Sequence, residues 1–395
     1  MGRILHLGVG NFFRAHQAWY TQACPGWDVI GVSFRSSAIR DGLAAQGYQY
    51  SLVIKDAAGV RVEKITCLRD IVVATEAPDA VHAEIAADKT TLITLTVTEK
   101  GYHLGPDGQL DLTDPAIQTD LSGGSMTVVG ALARGLAQRS APVTVLSCDN
   151  LPGNGAKLGA AVRQFAEAAG LQIDAPVSFP SCMVDRITPA TTDEIRAEAG
   201  DPMAVPTEAF SEWVIEDDFA AARPDWPGVQ WVSDVAPHEM RKLRMLNGAH
   251  SFLAYAGTLT GYTYVHEAVA DPKLRKGAWT LMTEAAATLP AEVQGQSSHY
   301  ARALLERFDN PNLHHRLRQI AMDGSQKMPI RIVAPLSERT GSSPALEAAV
   351  TAWICFVQAE VAAGRTLDDP RAEALAHACA SPDPEGALRT LITPE

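Results

Sequence analysis

The stretch Pro237-His-Glu-Met-Arg-Lys-Leu-Arg-Met-Leu-Asn-Gly-Ala-His250 concentrates residues that can move protons. Pro237 suits the first position of a helix. At about 100° per residue, with Lys242 set at zero, Glu239 falls near ~60°, Asn247 near ~140° and His250 near ~80°. Four polar groups then share a face that also carries Leu243 and Leu246, the pattern of a helix lining a polar pocket. Oxidation of a secondary alcohol needs a base for the hydroxyl proton while hydride leaves carbon. Lysine can serve when burial and cationic neighbours lower its pKa toward neutrality. Arg241 and Arg244 supply such charge. The Asn247 amide can donate to a developing alkoxide, as can Asn150, which follows an apolar strand. His250 can hydrogen-bond the reacting oxygen or a neighbouring hydroxyl, and Glu239 can relay the proton to water.

A second constellation lies at the start of the chain. Gly8-Val9-Gly10-Asn11-Phe12-Phe13 follows the apolar run Arg3–Leu7. The first glycine permits a tight turn. The second lets backbone approach a pyrophosphate at the N-terminus of the next helix. Phe13 stands where a third glycine belongs, so that helix should stand further off the sheet. The acidic residue that grips ribose hydroxyls in such folds is missing after the second strand. Arg35 stands there instead, suited to adenine stacking or to a 2′-phosphate, which opens an NADP possibility beside NAD.

These groups need elements to hold them. Arg3–Leu7 and Trp27–Ser33 read as strands around a helix over 14–24. Thr91–Thr98 and Ala141–Ser147 read as two more strands, with a helix over 126–139 between them. Alternating strands and helices imply an α/β fold with an open, doubly wound parallel sheet. Its ligands bind beyond the carboxyl ends of the strands, where Gly8, Glu99 and Asn150 sit. Residues 200–230, broken by four prolines and carrying Trp213 and Trp226, read as an excursion. After Pro237 the chain reads as helical over 237–256, 272–287, 297–308, 313–322, 344–363 and 370–380. The expected division is 1–236 and 237–395.

The 395 residues carry a formal net charge of -13, with 46% hydrophobic and 20% charged residues. That balance speaks for a folded chain and against a general nucleic-acid or anionic-membrane binder. Six cysteines form no CxxC pair and no Cys/His cluster of zinc spacing, so no metal site is expected. No run approaches eighteen uninterrupted apolar residues, and the chain opens on a strand rather than a charged leader. The expectation is a cytoplasmic protein, a monomer or small homo-oligomer, with a small-molecule substrate.

The segments His6–His16, Thr98-Glu-Lys-Gly-Tyr102, Ser147–Gly155, Met183–Thr188, Lys242–His250 and Met322-Asp-Gly-Ser-Gln-Lys327 together resemble the long-chain, zinc-independent polyol dehydrogenase family. That family includes mannitol 2-dehydrogenases and fructuronate reductases. The resemblance implies a Rossmann-type N-terminal domain and a mostly α-helical C-terminal domain, with NAD as cofactor and no catalytic metal. It places the catalytic lysine on Lys242, the two oxyanion asparagines on Asn150 and Asn247, and the substrate-contacting histidine on His250. The proton-relay glutamate falls on Glu239 and a substrate-side lysine on Lys327. Gly8, Gly10, Asn11, Phe12, Arg35 and Glu99 are the cofactor-side expectations.

The Thr-Glu-Lys-Gly-Tyr segment looks more like the hexuronate-reductase branch than the mannitol branch. A uronate carboxylate would pair with Lys100, Lys327 or Arg318. The expectation is therefore fructuronate reduction to D-mannonate, with a neutral polyol such as mannitol as the alternative substrate. A nucleotide-binding sensor on the same fold is a third reading, but it has no need of a proton-transfer lysine.

Overall fold

The computed structural model describes residues 2–124 and 126–393, so Met1, Ser125, Pro394 and Glu395 lie outside the described residues. The chain folds as two compact units. One gathers Val60–Ala236 with the segment before Asp56; the other gathers Pro237 onward together with Asp56–Gly59.

The first unit holds twelve strands among the described residues. They are β1 (Gly2–Leu7), β2 (Trp27–Ser33), β3 (Tyr50–Asp56), β4 (Gly59–Ile65), β5 (Leu68–Val73), β6 (Thr90–Leu95), β7 (Val143–Ser147), β8 (Val177–Ser178), β9 (Cys182–Asp185), β10 (Val205–Glu208), β11 (Glu212–Glu216) and β12 (Gln230–Val232). Six of them form a sheet in the order β5-β2-β1-β6-β7-β8, with every pair parallel. Counted along the chain, that is the 3-2-1-4-5-6 order of a Rossmann sheet. The direction of winding reverses at β1, so a crevice opens there, beside β6.

Both faces of this sheet are apolar, as parallel sheets require. Leu5, Leu7, Ile93, Leu95, Val143 and Val145 pack on one face under the helices Pro78–Ala86, Val128–Ala137 and Asn154–Ala168. Ile4, Leu92 and Leu146 pack on the other. That second face is covered differently from the doubly wound expectation. Phe13 and Tyr20 share it with Tyr50, Leu52, Trp213 and Ile215, drawn from two three-stranded sheets, β10-β3-β4 and β12-β11-β9, and with Trp226 from the loop after β11.

The expected helix over 14–24 is instead two short helices, Asn11–Ala15 and Gln17–Gln22, broken at His16. Side chains have taken the carbonyls that would continue it. Tyr50 Oη donates to Arg14 O at 2.7 Å, and the buried Arg186 donates to Ala15 O at 2.6 Å. Likewise β6 stops at Leu95, short of the expected Thr98. Asp149 accepts the N–H groups of Val97 and Thr98 at 2.9 and 2.8 Å, so they never reach the ladder.

The second unit is helical around one core. Gly248–Leu259 is its central helix and packs on Pro344–Ala362 and Pro272–Ala286. Pro344–Ala362 is long and apolar enough by composition to cross a membrane, yet Leu346, Val350, Trp353 and Val357 are buried within this core.

Candidate active site

In the first unit the carboxyl ends of β1, β6 and β7 lie side by side, tied by Thr96 N to Leu7 O and Cys148 N to Leu95 O, both 2.9 Å. Gly8 adopts φ +97°, in the left-handed region. A Cβ there would lie 2.2 Å from the Thr96 carbonyl oxygen, so only glycine fits. Gly10, at the cap of the next helix, has open space where its Cβ would be. His6 supports this turn from below. Its fully buried ring accepts from Thr94 Oγ1 at 2.7 Å and donates from Nε2 to Gly8 O at 3.2 Å and Thr96 Oγ1 at 3.0 Å. Phe13 stacks on it at 3.7 Å, filling the gap its bulk creates. Burial drops the His6 pKa to about 3, so the ring is a neutral strut.

The Asn11 side chain is engaged within the protein. It donates to Thr191 Oγ1 at 3.2 Å and accepts from Arg14 at 2.7 Å, which leaves its backbone N–H for a ligand at the helix start. Phe12 is half-buried and stacks on His16 at 5.1 Å. Arg35 is exposed in the turn after β2. Glu99 and Lys100 are exposed on a short 3₁₀ turn four and five residues beyond β6. Asn150 is exposed just past β7. Its neighbour Asp149 was missed in the sequence. It is buried, accepts from Tyr102 Oη at 3.0 Å as well as the two backbone amides, and so shapes the turn bearing Glu99 and Lys100. Thr98 in that turn is held at φ +70°. Burial raises the Asp149 pKa, while the bonds it accepts oppose the rise.

In the second unit the helix expected over 237–256 is interrupted. Ala236–Arg241 is α-helical, Lys242–Asn247 is a π-turn, and Gly248–Leu259 resumes the α-helix. Because π-turns close i to i+5, Lys242 and Asn247 stand one turn apart rather than about 140° apart as α geometry gives. Such turns recur at functional sites. A second π-turn, Pro329–Val333, packs against the first. From it Arg331 Nη1 reaches Asn247 O at 3.5 Å and Ser251 Oγ at 3.3 Å.

His250 is buried one turn on, with Phe308 at 4.6 Å and His315 at 5.3 Å between ring centroids. Burial, then His315, Arg307 and Arg331, push its pKa well below the imidazole value, so it is neutral. Glu239 and Lys242 are half-buried. Of the two arginines expected to act on Lys242, Arg241 lies over the Tyr300 ring at 4.3 Å, and Arg244 forms a fork with Glu338, one arm 2.7 Å long.

Lys327 Nζ donates to Met322 O at 2.6 Å and Ile320 O at 3.4 Å, and lies 3.6 Å from Asp323. Burial, then Arg331, lowers its pKa. Its turn is held by Asp369, which accepts from Ser325 N at 2.8 Å and Ser325 Oγ at 2.5 Å. Arg318 departs from the expectation of a free anion partner. Its guanidinium is committed to Glu360 at 2.9 and 3.1 Å, beside the Arg365–Glu360 pair.

The second unit thus gathers Asn247, His250 and Lys327 around Arg331, which sequence reasoning overlooked. Its one sequence signal is its place four residues after Lys327, on the next turn. Among the described residues no group of three His, Cys, Asp or Glu is arranged to hold a metal.

The profile of the mannitol dehydrogenase Rossmann domain matches residues 2–228, and that of the mannitol dehydrogenase C-terminal domain matches residues 234–388. The chain belongs to the mannitol dehydrogenase family. Within that family, D-mannonate oxidoreductase of Escherichia coli (strain K12) is 39% identical, over 93% of this chain and 82% of its own. Mannitol 2-dehydrogenase of Phaeosphaeria nodorum is 37% identical, over 94% of this chain and 72% of its own. The structure of Pseudomonas fluorescens mannitol 2-dehydrogenase, a ternary complex with NAD and D-mannitol, superposes with a TM-score of 0.81 at 32% identity. That match covers 99% of this chain and 91% of the other. As a member of the mannitol dehydrogenase family, the protein is an oxidoreductase acting on polyol CH–OH groups.

Proposed function

We propose that the protein is an NAD-dependent reductase of an open-chain sugar acid, converting D-fructuronate and NADH, with a proton, to D-mannonate and NAD. The observation that carries the chemistry is the π-turn that puts Lys242 and Asn247 one turn apart, with neutral His250 following. The sugar-acid branch is favoured by the likeness to D-mannonate oxidoreductase over 93% of the chain.

NAD supplies the hydride acceptor when bound, and the first unit suits it. Gly8 makes the turn that only glycine can make, and the open side of Gly10 leaves room for a pyrophosphate at the helix start. Arg35, exposed after β2, makes NADPH the second cofactor to test. In the oxidative direction Lys242 takes the hydroxyl proton. Asn247 donates its amide to the developing oxyanion, and Asn150 keeps the role of second donor that the resemblance gives it. His250, unable to hold a charge, serves as a neutral hydrogen-bond partner to a substrate hydroxyl. Glu239 passes the proton on to water. In reduction Lys242 returns the proton as acid.

A neutral polyol is the second reading, favoured by the 0.81 TM-score to a mannitol 2-dehydrogenase. The test is NADH consumption at 340 nm with D-fructuronate, D-tagaturonate and D-fructose side by side, repeated with NADPH. Strong turnover of a ketouronate and little of fructose supports the proposal. The reverse assigns the protein to neutral polyols.

A further inference from the structure

The sugar-acid reading requires a cation for the substrate carboxylate, and the helical unit narrows the choice. Arg318 is forked onto Glu360 and Arg244 onto Glu338. Lys327 spends its protons on two carbonyls and lies beside Asp323. Arg331 differs from all three. Among the described residues it has no carboxylate within ion-pair distance, and its only hydrogen bonds are the two long ones from Nη1. Its Nε is buried with no partner. A guanidinium carries five N–H donors, and buried donors left unmade are costly. The neighbouring His250 Nε2 is likewise buried and without a partner. Two unspent polar atoms thus flank Asn247, from adjacent elements.

We propose that Arg331 grips the carboxylate of the sugar-acid substrate and so sets the preference for sugar acids over neutral sugars. This assignment rests on the sugar-acid reading above. A planar guanidinium matches a carboxylate with two parallel N–H···O bonds. A neutral polyol leaves the same partly buried charge uncompensated, which penalises its binding. The long bond to Asn247 O ties the carboxylate-binding group to the residue that meets the reacting oxygen, so the two ends of the substrate are registered against one another.

The experiment measures kcat/KM on D-fructuronate and on D-fructose for the wild type, R331Q and R331K, with melting temperatures to verify folding. In R331Q the fructuronate-to-fructose ratio of kcat/KM is expected to fall about a hundredfold, mainly through KM for the ketouronate. In R331K, which keeps the charge but loses the fork, part of the ratio returns. An equal fall on both substrates overturns the assignment and makes Arg331 a support for Asn247, while the sugar-acid reading stands. A wild type inactive on every ketouronate overturns both. Should R331Q melt early, titration of D-mannonate into the NAD complex of R331K decides the matter. A tenfold weaker Kd supports the assignment and an unchanged Kd overturns it.

Discussion

His6 Nε2 donates to the Gly8 carbonyl at 3.2 Å from a ring with no exposure to solvent. The glycine turn therefore rests on an uncharged strut that also bridges β1 to β6 through Thr94 and Thr96. Replacing His6 by alanine leaves these partners unmade and opens a cavity under Phe13. The expected cost is about 2–4 kcal/mol of stability, read by urea unfolding, with weaker NADH binding in whatever folds. A stability change within about 0.5 kcal/mol would remove His6 from the scaffold of the turn.

The two glycines of the turn differ in kind. Gly8→Ala forces a Cβ to 2.2 Å from the Thr96 carbonyl at φ +97°, so it should destabilise the fold strongly. Gly10→Ala meets no protein atom within 4 Å. It should melt within a few degrees of wild type yet bind NADH at least ten times more weakly, because the added methyl occupies the space for the pyrophosphate. Calorimetry and NADH fluorescence titration separate the two effects.

Two buried histidines and the half-buried His315 make the protein labile to acid. Folding holds His6 near pKa 3 and His315 near 4, and pushes His250 well below its free value. The unfolded chain titrates these groups near 6.5, so it binds more protons than the folded one in between. Their contribution is complete above about pH 6.5 and is lost progressively as pH falls toward the folded values, at up to roughly 4 kcal/mol per pH unit for the three together. Asp149, whose pKa is raised, works in the opposite direction. Unfolding free energy measured from pH 7.5 to 4.5 should fall steeply, and less so in His6→Asn. A flat profile contradicts the neutral assignment.

Arg318 marks the difference between sequence and structure at the site. Its side chain is 57% exposed and paired with Glu360. Arg318→Gln should therefore change stability by less than about 1 kcal/mol and leave the fructuronate-to-fructose ratio as it was. A selective loss on the ketouronate would restore Arg318 as the carboxylate partner.

The Rossmann strands β1, β2, β6 and β7 were legible because each is a short apolar run ending in a turn signal. The smaller sheets were not. β4 shows Val60 and Val62 to solvent, so its apolar residues mark no buried face. β10 contains Pro206, which reads as a break. As the edge of its sheet, β10 tolerates the missing N–H. The supposed excursion over 200–230 thus contains β10 and β11, and Trp213 on β11 packs at 4.4 Å on Trp226 in the loop that follows. The candidate catalytic residues Lys242, Asn247 and His250 were visible as a cluster on one segment. The π-turn beneath them was not, since one inserted residue barely disturbs the apolar periodicity. Arg331 escaped notice because its meaning lies in what it touches, and in what it does not.

Lys242→Ala should abolish turnover, by a thousandfold or more, while NADH still binds, because the cofactor elements belong to the other unit. Asn150→Ala should lower kcat about a hundredfold. Stopped-flow single turnovers with D-fructuronate separate these effects on chemistry from effects on binding.

The most direct test of the account is isotopic. NADH carrying deuterium at the transferable position is incubated with the enzyme and D-fructuronate, and the product is examined by NMR. The expected product is D-mannonate with deuterium on the newly formed carbinol carbon. Deuterium retained in the cofactor with no D-mannonate formed, alongside deuterated mannitol from D-fructose, would contradict it.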